Sequence, residues 1–160
     1  MDDIGFKTDS GKFRLRGVGI VIRNGCVLMV HDEKRGYYYP IGGAVRIGES
    51  TEEAAVREVF EESGLKVNID RLLLVQENFF DIEDELHHEI AFCYLMKDIG
   101  DQELSGDRVL DYSAEGLAWL QIERFHEYKA YPEIYGTLLK DLPSEITHVV
   151  VNDSKRGVFS

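Results

Sequence analysis

The spacing of apolar residues changes period along the chain, and each change marks an element. Phe13–Ile22 and Cys26–His31 are apolar-rich runs of strand length, and Asn24-Gly25 between them is a strong hairpin signal. Residues 1–12 are polar and read as a flexible or edge segment, while Asp32–Gly36 is a charged loop. After Ser50 the period becomes helical, and Ala55, Val56, Val59 and Phe60 share an arc expected to face the core. Val67–Ile69 reads as a short strand and Arg71–Phe80 as a longer one. Asp81–Leu86 follows as an acidic loop with four carboxylates. His88–Met96 is apolar on both faces, as a central strand covered on both sides must be. Asp98–Asp107 is polar and loop-like. Gly116–Leu120 is a further strand, followed by a short helix from Gln121 to about Glu127. Pro132 suits the first turn of a last helix carrying Ile134, Leu138 and Leu142, closed by Pro143. His148–Val151 is a final strand or extended tail.

Strands with one long helix on one side and terminal helices on the other predict an α/β/α sandwich with a mixed β-sheet. Strict βαβ alternation is missing, which disfavours a doubly wound fold. The 160 residues suffice for one domain with a real core, and no repeat, linker or low-complexity segment divides them.

The long helix carries the chemistry. Ser50 and Glu53 form a capping box, and Gly64 is a natural stop about four turns later. Glu58, Glu61 and Glu62 fall within an arc of roughly 100°. Such carboxylates repel one another by about a few tenths of a kcal/mol per pair when solvated, and a divalent cation removes that repulsion. Oxygen-only ligands favour Mg²⁺ or Mn²⁺ over Zn²⁺. Arg57, inside this acidic cluster, is most simply the structural partner of Glu49, holding the preceding loop against the helix.

Residues Gly43 to Leu65 spell glycine, five residues, glutamate, seven residues, then Arg-Glu-apolar-x-Glu-Glu-x-Gly-apolar. This pattern resembles the Nudix box, with every fixed position filled, and the flanking pattern fits the same family. The resemblance implies a Nudix fold and metal-dependent hydrolysis of a pyrophosphate bond in a nucleoside diphosphate linked to another moiety. Nucleotide sugars, ADP-ribose, nucleoside triphosphates and dinucleoside polyphosphates all remain open as substrates. It implies Glu49, Arg57, Glu58, Glu61 and Glu62 as catalytic residues. The metal ligands would be Glu58, Glu61, Glu62 and a backbone carbonyl of Gly42 or Gly43, Gly42 preferred. Glu58 is the first choice for the base that activates water, with Glu89, Glu115 and the Asp81–Glu85 loop as alternatives. A non-hydrolytic ligand-sensing Nudix domain is the second reading, disfavoured by the intact box.

Outside the box, Tyr37, Tyr38, Tyr39, Phe79 and Phe80 could stack on a base, and His87 or His88 could contact phosphate. Glu89 and Glu115 could also reach the substrate, whereas Trp119 is expected in the core. Each of these has a purely structural alternative. The net charge of −12 disfavours non-specific nucleic-acid binding and acidic membrane surfaces. It does not disfavour a phosphate substrate, because a bound metal inverts the local field. No signal peptide or membrane span is read, and Cys26 and Cys93 are expected as buried free thiols. A cytoplasmic location fits, and a homodimer stays open.

Overall fold

The computed structural model describes residues 2–110 and 115–155, without the side chains of Leu110 and Glu115. Strands β1 (Gly5–Thr8), β2 (Gly11–Ile20), β3 (Ile22–Arg23), β4 (Cys26–Asp32), β5 (Tyr37–Pro40) and β6 (Gly42–Ala44) precede helix α1 (Thr51–Ser63). Then come β7 (Ile69–Ile82), β8 (Glu85–Met96), the short α2 (Asp107–Leu110), β9 (Glu115–Gln121), a 3-10 helix over Ile122–Glu127, α3 (Tyr135–Leu138) and β10 (Thr147–Asn152).

The main sheet runs β1-β2-β8-β7-β10, with β6 also paired to β2. β8 is parallel to β2 and antiparallel to β7, and β10 is parallel to β7, so the sheet is mixed. β4 centres a second, antiparallel sheet between β3, β5 and β9. Strand alternation lets β4 serve two cores: Val27 and Met29 join the apolar cluster with Phe125, Tyr135 and Leu138, while Leu28 and Val30 join the one with Ala55 and Val59. Helix α1 lies on one side of the main sheet, and the 3-10 helix and α3 cover the other. This is the α/β/α sandwich with a mixed sheet that the sequence predicts. Helix and sheet approach closely at Gly17, where a side chain would collide with the backbone of α1 at Thr51 and Ala55.

Helix α1 has the predicted ends. The Ser50 hydroxyl accepts from Glu53 N at 3.1 Å, and the Glu53 carboxylate accepts from Ser50 N at 2.8 Å. Gly64 caps the other end at φ 74°. Phe60 departs from expectation: it is 50% exposed, because the buried stripe runs through Ala54, Ala55, Val59 and Glu62.

Several other boundaries move. The strand predicted from Phe13 starts at Gly11 and breaks at Val21, where the chain passes from one sheet to the other. The two strands expected over 67–80 are one, β7, whose register shifts between Ile69 and Leu74 absorb the irregular pattern. The acidic loop is a two-residue turn, Glu83-Asp84, at φ 50° and 66°. β7 and β8 therefore extend to Ile82 and Glu85. The last helix shrinks to Tyr135–Leu138, and Leu142 packs from irregular backbone. Within the segment read as flexible or edge, residues 5–8 form an edge strand, paired only with β2 among the described residues.

Candidate active site

Arg57 organises the carboxylates of α1. Its Nε and Nη2 donate to the two oxygens of Glu49 at 2.6 and 3.0 Å, a fork on a carboxylate. Nη1 donates to Glu58 at 2.7 Å and Glu61 at 3.3 Å, and Nη2 also reaches the Ala44 carbonyl at 3.1 Å. Glu49 accepts Arg46 N at 2.9 Å as well. These bonds tie the loop before the helix to the helix face, the arrangement expected of Arg57 and Glu49. The hydrogen bonds from Arg57, with the backbone bond and neighbouring arginine charge, outweigh burial and hold the Glu49 carboxyl below its usual range.

Glu62 differs from its neighbours. It is buried, and burial pushes its carboxyl up to about 7, against the charges of Arg108 and Arg16. One oxygen lies 3.4 Å from Arg108 Nη2, and the other has no hydrogen-bond partner.

Among the described residues, no three His, Cys, Asp or Glu side chains converge as a ready-made metal cage. The reason is visible: Arg57 draws Glu58 and Glu61 toward itself, and Glu62 faces Arg108. The residues nonetheless fit a hard divalent cation. The donors are all oxygen, one buried carboxylate oxygen is unpaired, and the Gly43 backbone passes so close to Glu58 that a side chain there would overlap its carboxylate. Of the two glycines named from sequence, Gly43 is the one against Glu58, while Gly42 packs on Gly17 and Val18.

A cleft of about 850 Å³ lies across the main sheet, on the face away from α1, and Arg108, the partner of Glu62, is among its lining residues. Its floor includes Arg14, Arg16, Gln76, Asn78 and Glu89, and Tyr37, Tyr39 and Tyr131 contribute to its walls. Glu89 is buried between two arginines: it accepts from Arg14 Nε at 2.8 Å, and its other oxygen is 3.5 Å from Arg16 Nη1. Burial would raise the Glu89 carboxyl, but Arg16 and Arg14 outweigh it and hold it below its usual range.

Tyr37, Tyr39, Phe80 and Glu89, named from sequence, all line this cleft. Phe79 does not: strand alternation places it on the opposite face, stacked on His88 at 4.4 Å between ring centres. His87 stacks on Phe80 at 5.1 Å and is not among the lining residues. Tyr38 stacks on His31 and packs against the core. Trp119 is half-buried against the core, with Arg23 over its ring at 4.5 Å. Glu115 starts β9, and its side chain lies outside the described residues. Sequence reasoning missed Arg14, Arg16 and Arg108. The one available signal for the first two was Arg-Leu-Arg in a strand, which puts both arginines on one face.

The site thus combines an α/β/α sandwich, an acidic helix braced by Arg57 and a cleft floored by Arg14 and Arg16. The sequence matches the NUDIX domain family over residues 13–142, and the chain belongs to that family, as a Nudix pyrophosphohydrolase by class. It is 27% identical to a MutT-like protein of Streptomyces ambofaciens over 86% of this chain and 82% of that one. It is 32% identical to an ADP-ribose pyrophosphatase of Methanocaldococcus jannaschii, over 56% of this chain and 53% of the relative. The fold is similar to that of a MutT protein from Bacillus halodurans, at a TM-score of 0.64, 19% identity and coverage of 88% of this chain and 91% of that one.

Proposed function

We propose that this chain is a single-domain, metal-dependent hydrolase, residues 1–160, that cleaves the pyrophosphate bond of a nucleoside diphosphate linked to another moiety. One observation carries the reading: the Glu58, Glu61 and Glu62 helix, braced by Arg57 and Glu49, is linked through the Glu62–Arg108 contact to a cleft large enough for a nucleotide. Glu58, Glu61, Glu62 and a carbonyl of Gly42 or Gly43 would hold Mg²⁺, with Mn²⁺ as a substitute. A bound ion there supplies charge neutralisation on the diphosphate and acidifies a water. Arg57 and Glu49 orient the carboxylates. Glu58 aligns the attacking water and takes its proton. The water oxygen bonds to one phosphorus, the bridging P–O bond breaks, and the other phosphate leaves with the electron pair. Tyr37, Tyr39 and Phe80 offer aromatic surface to the nucleoside. A location in the cytoplasm belongs to the same reading, supported by the free thiols of Cys26 and Cys93. No helix among the described residues is long and apolar enough to cross a membrane.

The test is a pyrophosphatase screen over nucleotide sugars, ADP-ribose, nucleoside triphosphates and dinucleoside polyphosphates, with Mg²⁺ and with Mn²⁺. Turnover abolished by chelator is the expected result. No cleavage of any member with either ion would end the proposal.

A further inference from the structure

We infer that Arg14 and Arg16 form a phosphate-recognition pair on the cleft floor. They would hold the substrate phosphate farther from the α1 carboxylates, in competition with Glu89 as internal counter-charge. The inference rests on the diphosphate reading of the cleft and names the residues that select for a second phosphate.

The placement follows from β2. Arg14 and Arg16 are two residues apart on a strand, so their side chains share a face about 6.6 Å apart at the backbone. That face is the cleft floor. The parallel register Arg14↔Glu89 and Arg16↔Ala91 brings Glu89 between them. The stoichiometry is unequal: two guanidiniums share one carboxylate. Glu89 is spent on this pairing. Its side chain is only 3% exposed, one oxygen is taken by Arg14 and the other faces Arg16. The same engagement, and the low carboxyl affinity for protons that goes with it, make Glu89 a poor proton acceptor.

Arg16 is incompletely used. Its side chain is 12% exposed, its contact with Glu89 is long at 3.5 Å, and its Nε has no hydrogen-bond partner. A buried guanidinium with an unpaired donor is costly, and its planar fork matches phosphate oxygens. Arg16 feels the charge of Glu89 on the floor first and of Glu62 on the helix second. Asn78 and Gln76 offer neutral donors beside it. Elsewhere the cleft lining mixes the acids Asp81, Glu83, Glu133 and Asp153 with the cations Arg35 and Lys129.

The test is calorimetry with inorganic pyrophosphate and with orthophosphate, in chelator, on the full chain. Pyrophosphate should bind, and orthophosphate at least about tenfold more weakly. Arg16→Gln and Arg14→Gln should each weaken pyrophosphate by about tenfold or more, Arg16→Lys by less, and Glu89→Gln should tighten it severalfold. On the best substrate, Arg16→Gln should raise KM with kcat largely kept. Arg14, 36% exposed, tolerates substitution and carries the test should melting curves show that Arg16→Gln does not fold. The inference is overturned by pyrophosphate affinity within twofold of wild type in the folded arginine variants. Failure of both wild type and Glu89→Gln to bind pyrophosphate overturns it too. Binding in chelator is read without turnover, so it stands or falls apart from the outcome of the substrate screen.

Discussion

Two arginine–carboxylate clusters lie on α1 and on the cleft floor, and their stoichiometries are opposite. At the helix, Arg57 serves three carboxylates, Glu49, Glu58 and Glu61, and Arg46 adds only a 4.0 Å contact to Glu61. On the floor, two arginines, Arg14 and Arg16, share the single carboxylate of Glu89. The first leaves surplus negative charge and suits a cation. The second leaves surplus positive charge and suits an anion. Burial differs too, since Glu61 is 40% exposed and Glu89 only 3%. A helix surface in contact with water can rearrange around an ion, whereas a buried floor must be built to its final geometry by the sheet.

The largest expected effect tests the helix cluster. Glu58→Gln should lower kcat by about 10²–10⁴-fold, with a component that excess Mg²⁺ does not restore, whereas Glu61→Gln should recover much of its rate at high Mg²⁺. Steady-state kinetics over a Mg²⁺ series separates them. Full metal rescue of Glu58→Gln would move the base elsewhere.

The floor should answer to stability and pH. Glu89→Gln leaves the largely buried Arg16 and the more exposed Arg14 without their counter-charge, at a cost of about 3 kcal/mol, or roughly 6–12 °C in Tm. Glu89 sits below its ordinary 4.5 in the folded chain. Its contribution is therefore present above about pH 4.5 and is lost as pH falls through the lower folded value. The Tm gap between wild type and Glu89→Gln should be wide at pH 7 and narrow steadily as pH falls below the ordinary 4.5 toward the lower folded value. A gap constant with pH would mean that shape, not charge, holds the floor.

A smaller effect is expected from Arg57→Ala. Unclamping the half-buried carboxylates should cost about 2 kcal/mol and reduce kcat. Mg²⁺ affinity by calorimetry should not fall, because a competing cation has been removed. Lost Mg²⁺ binding would show that Arg57 positions the ligands more than it competes with the ion. The smallest contrast pairs adjacent aromatics. Phe80→Leu should raise KM severalfold, about 1 kcal/mol of lost stacking, while Phe79→Leu on the opposite sheet face should leave KM within about twofold.

The helix cluster was legible in sequence because its geometry is local. Ser50, Glu53 and Gly64 fix the ends, and a 3.6-residue period fixes which carboxylates share a face. Even the Arg57–Glu49 pairing spans only eight residues. The floor was not legible. Arg14 and Glu89 are 75 residues apart, and only the β2–β8 register brings them together. Phe79 and Phe80 could not be told apart for the same reason, since the bulged β7 hides which of them faces the cleft. The last helix was overestimated because Ile134, Leu138 and Leu142 have helical spacing, yet Leu142 reaches the core without a continuous helix.

The position of β10 has a consequence for how the protein is made. β10 is the last strand of the described chain, yet it pairs in parallel with β7, about seventy residues earlier, and supplies Val151 to the cleft. During synthesis, α1 and the strands around it leave the ribosome first and can fold early. The β7 edge must wait, unpaired, until residues 147–152 emerge. For that interval it is a strand edge open to pairing with another chain. Slow translation or a stall after β9 would therefore lengthen exposure of the cleft edge in a nascent chain whose helix cluster is already formed.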